Sequence, residues 1–163
     1  MSHTSSHLTR RTVLIAATAL SAAGTAAMSD PYAASRWRLL SDADWRRRLP
    51  STTYEILRHE ATEAPFTSPL NEEHRTGTFV CGGCGLPLFK SQWKFNSGTG
   101  WPSFYTAIPG AIAKKKDFAL VLERTEYHCS QCLGHQGHVF DDGPPPTGLR
   151  HCNNGAALKF IPV

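Results

Sequence analysis

Five cysteines carry the chemistry that can be read from this 163-residue chain. Four come in pairs, Cys81 with Cys84 in "CGGCG" and Cys129 with Cys132 in "CSQCLG"; Cys152 stands alone in "GLRHCNNGAALKF". A two-residue gap lets both sulfurs of a pair turn toward one ion, and four thiolates at about 2.3 Å make a closed tetrahedral zinc site. Gly82, Gly83 and Gly85 allow the tight path of the first turn. The pairs lie 44 residues apart. One structural zinc ion (Zn2+) per chain would therefore tie two distant segments together and leave no position for a substrate. Two disulfides are the alternative in an oxidising compartment. Redox dithiols are another, but no βαβ pattern surrounds either motif.

Cys152 falls outside that metal count. A lone thiol becomes a nucleophile as its thiolate, which nearby positive charge favours. In a strand Arg150 shares the face of Cys152 and His151 takes the other, so Arg150 is the candidate neighbour. Asn154 would share that face too and donate a hydrogen bond into the site. His135 and His138, in "HQGHVFDDG", could deliver protons near neutrality. Trp101, in "NSGTGWPSF", could wall a small apolar group such as a methyl. Each has a plainer reading: a buried structural cysteine, zinc-ligating or core histidines, a turn asparagine, a core tryptophan.

The elements that must position these residues are mostly strands. "GTFVC" (77–81), "FALVLERTEYHC" (118–129), "GHVFD" (137–141) and "ALKFIPV" (157–163) are apolar, partly alternating and separated by Gly- and Pro-rich links. The expectation is a mainly β (α+β) domain, largely antiparallel from about residue 70. Two short helices precede it. One has Ser41 as N-cap with Asp44 three residues on and ends at Pro50; the other, "STTYEILRHE", turns Tyr54, Ile56 and Leu57 inward. "KKK" at 114–116 reads as a solvated loop.

Residues 1–34 read as an export leader ahead of a domain spanning 35–163. Arg10 and Arg11 precede 16 uncharged residues from Val13 to Met28, a run too short and alanine-rich for a membrane span. "TRRTVLI" looks like a twin-arginine signal, with cleavage near Ala26 and Ala27 or after Ala34. The expected location is periplasmic or otherwise extracytoplasmic, with membrane contact only during export. From Ser29 onward 15 basic residues face 13 acidic ones, a formal +2, which argues against nucleic-acid binding.

The blocks "RHEATEAPFTSPL", "CGGCGLPLF", "KFNSGTGWPSF" and "CSQCLGHQGHVFDDGPPPTGLRHCNNGAALKF" resemble, in order, those of the B-type peptide methionine-R-sulfoxide reductases, from about residue 42 to the C-terminus. The resemblance implies two antiparallel sheets packed around the site. It implies Cys152 as nucleophile, with His135, His138 and Asn154 managing the sulfoxide oxygen. Trp101 would hold the S-methyl group, and the paired cysteines would hold zinc. It further implies oxidised protein or peptide substrates, a thioredoxin-like or other thiol reductant, and a monomer.

This chain departs from the commoner pattern at four places. Thr99 stands where many relatives carry a resolving cysteine, so no internal disulfide to Cys152 is expected and an external thiol must regenerate it. His151, Asn153 and Gly155 replace the usual aromatic, aliphatic and serine around the nucleophile. A cysteine hydrolase, since Cys, His and Asn also form a peptidase set, and a zinc-ribbon binding module are the competing readings.

Overall fold

The computed structural model describes Met1, residues 30–117 and residues 124–163. Most of the leader (residues 2–29) and the first half of the expected 118–129 strand (residues 118–123) lie outside the described residues.

Two helices open the domain. In α1 (Asp42–Arg48) the Ser41 side chain accepts from Asp44 N and the Asp44 carboxylate accepts from Ser41 N, the expected capping box. The turn ends at Leu49, ahead of Pro50, which cannot donate the next helical hydrogen bond. α2 (Ser51–His59) buries Tyr54, Ile56 and Leu57 as its spacing requires.

Among the described residues nine strands follow: β1 (Gly77–Cys81), β2 (Pro87–Lys90), β3 (Lys94–Phe95), β4 (Ser103–Phe104), β5 (Ile112–Asp117), β6 (Arg124–Cys129), β7 (His135–Phe140), β8 (Arg150–Asn153) and β9 (Leu158–Pro162). They form two antiparallel sheets, ordered β2-β1-β9 and β3-β4-β8-β7-β6-β5. The apolar core sits between them. Phe89 stacks on Phe104 with centroids 4.2 Å apart, and Phe79 meets Phe104 edge-on at 4.9 Å. α1 and α2 close one end, where Trp45 and Leu57 pack beside Gly83 and Leu57 beside Gly134, next to both cysteine motifs.

The lysine run corrects the loop expectation. Lys114, Lys115 and Lys116 lie in β5, the outer strand of the larger sheet. All three are exposed, and charged side chains on an edge strand discourage pairing with another strand, while Lys115 Nζ also pairs with Glu60 and Glu126.

Candidate active site and metal centre

Cys81 is the last residue of β1 and Cys129 the last of β6, so the two motifs close strands of different sheets. Each then makes the same turn. Gly85 N donates to Cys81 O and Leu133 N to Cys129 O, both at 2.9 Å. Both residues have positive φ, +79° and +60°. Glycine takes that conformation freely; leucine pays roughly 1–2 kcal/mol for it.

The four sulfurs lie within 4.8 Å of one another, with Cys81–Cys132 at 3.6 Å and Cys84–Cys129 at 3.5 Å. All four cysteines are free. A disulfide needs about 2.0 Å; a tetrahedron of about 2.3 Å metal–sulfur bonds has edges of about 3.8 Å. Hydrogen bonds from the Cys129, Cys132 and Cys84 thiols hold Cys81 well below the ordinary thiol range. Gln136 Nε2 adds a 3.5 Å contact to Cys81 Sγ. Four clustered soft donors at this spacing fit a metal ion, and together they supply all four positions of a tetrahedron.

Cys152 sits elsewhere, in β8 between β4 and β7. It pairs with Ser103 on one side and His138 on the other, so the three share a face. A 130 Å³ pocket opens there, lined by Cys152, His138, Trp101, Arg124, Asn154 and neighbours. Only glycine at 137 permits the close approach of β7, because a Cβ there would lie 1.9 Å from Cys152 O. The Trp101 ring is fixed by its Nε1–H, which donates to Glu63 O at 3.1 Å.

His138 Nε2 lies 2.8 Å from Asp117 Oδ2, and Arg124 Nη2 donates to the same oxygen at 2.6 Å. Burial lowers the His138 pKa while Asp117 opposes that shift. His135 does not line the pocket. Its ring lies 5.5 Å from that of His138, with Nδ1 2.8 Å from the buried carboxylate of Glu126. Burial acts to raise the Glu126 pKa, but Lys115 and His135 hold it below its ordinary value.

Arg150 forms a two-pronged pair with Asp142, at 2.8 Å on each arm. Burial pushes the Cys152 thiol up, and the Arg150 charge with hydrogen bonds from Thr99, Arg150 and Ser103 pulls it back. Asn154 does not continue the strand face as expected. β8 ends at Asn153, and Asn154 caps the single 3-10 turn Gly155–Ala157. Its Nδ2 donates to Gln136 O at 3.1 Å and its Oδ1 accepts from Glu63 N at 3.0 Å. The amide is spent on main chain at the pocket wall.

The three departures beside Cys152 are absorbed by packing. His151 points between the sheets, neutral, with Nδ1 3.2 Å from Phe104 O, and burial lowers its pKa to about 4. Asn153 is fully buried, accepting from Tyr127 OH at 2.7 Å and donating to Asn154 O at 2.7 Å. At Gly155 a Cβ would meet Ser68 Oγ at 1.8 Å.

The carboxylates are what the sequence did not reveal. Glu63 accepts from Gly155 N and Ala156 N, with 2.9 Å to Ala156, while its main chain holds Trp101 and Asn154. Asp117, Glu126 and Asp142 back His138, His135 and Arg150. Asp142 lies 8 residues from Arg150 and Glu126 9 from His135, whereas the Glu63 contacts span 38 residues to Trp101 and 91 to 93 to the turn after β8.

Fold and site define a class: a two-sheet β protein joined by four thiols placed to hold a metal ion, with a separate half-buried thiol in an aromatic- and histidine-lined pocket. The chain belongs to the SelR domain family, which matches residues 49–162. It is 52% identical over 121 residues to a protein of Leptospira interrogans serogroup Icterohaemorrhagiae serovar Lai (strain 56601) named "Peptide methionine sulfoxide reductase MsrB", covering 74% of this chain and 92% of that one. Proteins of the same name from Bradyrhizobium diazoefficiens (50% over 123 residues, 75% of this chain and 88% of that one) and Agrobacterium fabrum (49% over 124 residues, 76% and 92%) are similarly close.

Proposed function

We infer that this chain reduces methionine sulfoxide in oxidised proteins or peptides to methionine, with Cys152 as the nucleophile. The observation that carries the reading is the division of the five sulfurs. Four are gathered within 4.8 Å, and the fifth lies in a pocket with His138 and Trp101. Family membership and relatives near 50% identity support the same reaction.

A sulfoxide oxygen leaves only when protonated. The Cys152 thiolate attacks the substrate sulfur while His138, oriented by Asp117, gives that oxygen its proton. His135, anchored by Glu126, packs behind His138. Arg150 favours the thiolate, and Asn154 with Glu63 fixes the pocket wall. Methionine leaves, and Cys152 is left as a sulfenic acid. Thr99 supplies no sulfur, so an external thiol reductant, thioredoxin-like or small, completes the cycle.

The Trp101 ring would seat the S-methyl group. A pyramidal sulfur with its methyl on one wall and its oxygen toward His138 presents one hand to Cys152, and the R epimer is the proposed substrate. The four-cysteine centre would hold zinc, whose preference for four soft donors matches the set. Its contribution there is structural.

The leader reading extends this to repair outside the cytoplasm, the folded and metal-loaded domain being exported before it acts. Fractionation of cells expressing the full chain tests it: the activity should appear outside the cytoplasm and shift inward when Arg10 and Arg11 are both replaced by Lys.

The test of the reaction is turnover of separated R and S sulfoxide peptides with dithiothreitol. The R peptide should yield methionine and the S peptide none, with Cys152→Ser losing turnover while keeping its metal. Peptide-bond cleavage instead would favour the hydrolase.

A further inference from the structure

The substrate pocket occupies one side of the Cys152 sulfur, and a chain of three hydroxyls stands close to it as well. Thr99 Oγ1 lies 4.0 Å from Cys152 Sγ. Ser97 Oγ is 2.8 Å from Thr99 Oγ1 and 2.8 Å from Ser103 Oγ. Ser103 Oγ donates to Trp101 O at 3.1 Å. A carbonyl can only accept, so when Ser103 turns its proton to Trp101 O that end of the chain has a set direction. With Ser103 donating to Trp101 O, Ser97 donates to Ser103 and Thr99 donates to Ser97. Every proton is then committed, and a lone pair of Thr99 Oγ1 is left toward the sulfur.

The distance fits an oxidised sulfur better than a bare thiol. At 4.0 Å the Thr99 contact with Sγ is at the outer limit for a bond to sulfur. An oxygen attached to Sγ can stand one bond length closer, within the roughly 2.5–3.0 Å range of an O–H···O hydrogen bond. We propose that the Thr99–Ser97–Ser103 chain is a seat for the Cys152 sulfenic acid, whose O–H donates to Thr99 Oγ1. The proposal rests on the reductase reading and deepens it.

Cys152 thiolate, a sulfoxide and one proton give the thioether and Cys152–S–OH. The oxygen comes from the sulfoxide, the cysteine sulfur is oxidised by two electrons, and the substrate sulfur is reduced by two. An external thiol then attacks Sγ, the S–O bond breaks, water leaves and a mixed disulfide forms; a second thiol releases Cys152. Between these steps the acid is exposed to peroxide, which carries it to the dead-end sulfinic acid. The anion is the form that attacks peroxide. A seat that accepts the O–H keeps the group neutral and leaves Sγ open to the thiol. In the resting thiolate the rotors turn the other way, with Thr99 and Ser103 donating to the sulfur.

The experiment forms the sulfenic acid with one equivalent of R-sulfoxide peptide, then adds a fixed mixture of dithiothreitol and hydrogen peroxide. Mass spectrometry reads how Cys152 partitions between sulfinic acid and thiol-reduced product. Thr99→Val keeps the shape and removes the acceptor, and should move the partition at least fivefold toward sulfinic acid. Thr99→Ser should restore the parent ratio. Ser97→Ala, which disturbs the chain without touching the sulfur, should shift the ratio in the same direction by at least twofold. Parent-like partition in both Thr99→Val and Ser97→Ala would overturn the seat. A parent that releases no methionine in the first step would instead overturn the reductase reading.

Discussion

The reactivity of Cys152 depends on a contest between burial and charge. Burial raises its pKa, and the Arg150 guanidinium is the main influence that lowers it. Thiolate fraction falls tenfold for each unit the pKa climbs above the working pH. Arg150→Met keeps much of the packing over Phe140, where the guanidinium now sits 4.3 Å from the ring centre, and removes the charge. The expected outcome is a first-turnover rate at pH 7 reduced by about tenfold, with the pH–rate profile displaced to the alkaline side; one pKa unit corresponds to about 1.4 kcal/mol. Iodoacetamide labelling of Cys152 against pH measures the displacement directly, and an unmoved profile would remove Arg150 from this role. Thr99 offers a second check. Its hydroxyl reaches Cys152 Sγ at 4.0 Å, so Thr99→Cys should form a disulfide with Cys152 after one oxidising turnover, seen as a mass loss that dithiothreitol reverses.

At the scale of elements, the site is held by contacts that join remote segments. Glu63 lies in the link after α2, yet its carboxylate caps the turn after β8 and its main chain fixes Trp101 and Asn154. Glu63→Ala orphans two N–H groups, each costing about 1–3 kcal/mol when left unpaired. Stability should fall by about 2 kcal/mol in urea unfolding, and KM should rise several-fold as the link, no longer anchored to the turn after β8, lets its main-chain hold on Trp101 slacken. These contacts explain what the sequence showed and what it hid. The cysteine spacing was legible because chelation demands it locally, and Ser41 with Asp44 because a cap is local too. β3 and β4 are two residues each and carry no period to read. β5 was obscured because its lysines face water at a sheet edge, the opposite of the apolar run that marks a strand. Asn154 was misplaced because the strand rule of alternate faces holds only as far as Asn153.

His151 gives the sheet interface a pH dependence. Burial sets its pKa at about 4 in the fold, against 6.5 for an exposed histidine. Between those values the unfolded chain takes the proton and the folded one refuses it. Stability from this group is therefore full above about pH 6.5, declines as pH falls and is lost by about pH 4, a range of about 3 kcal/mol at about 1.4 kcal/mol per unit. His151→Phe should flatten that part of the acid-unfolding curve relative to the parent, and identical curves would contradict the assignment.

Over the whole molecule, the four-cysteine cluster and Cys152 divide the work in the proposed reaction. The centre joins the end of β1 to the end of β6, one from each sheet, with α1 and α2 packed beside it. Structural zinc binding is worth about 10–16 kcal/mol in small zinc domains, comparable to the roughly 5–15 kcal/mol that holds a whole domain together. Cys84→Ser should therefore lose metal and near-ultraviolet circular dichroism together, whereas Cys152→Ser should lose neither.

The most direct measurement is a single turnover without any reductant, with the metal-loaded chain and excess R-sulfoxide peptide. The expected result is one methionine per chain, one added oxygen located at Cys152, and Cys81, Cys84, Cys129 and Cys132 unmodified with the metal retained. Release of more than one methionine per chain, accompanied by a disulfide among the paired cysteines and loss of the ion, would contradict it.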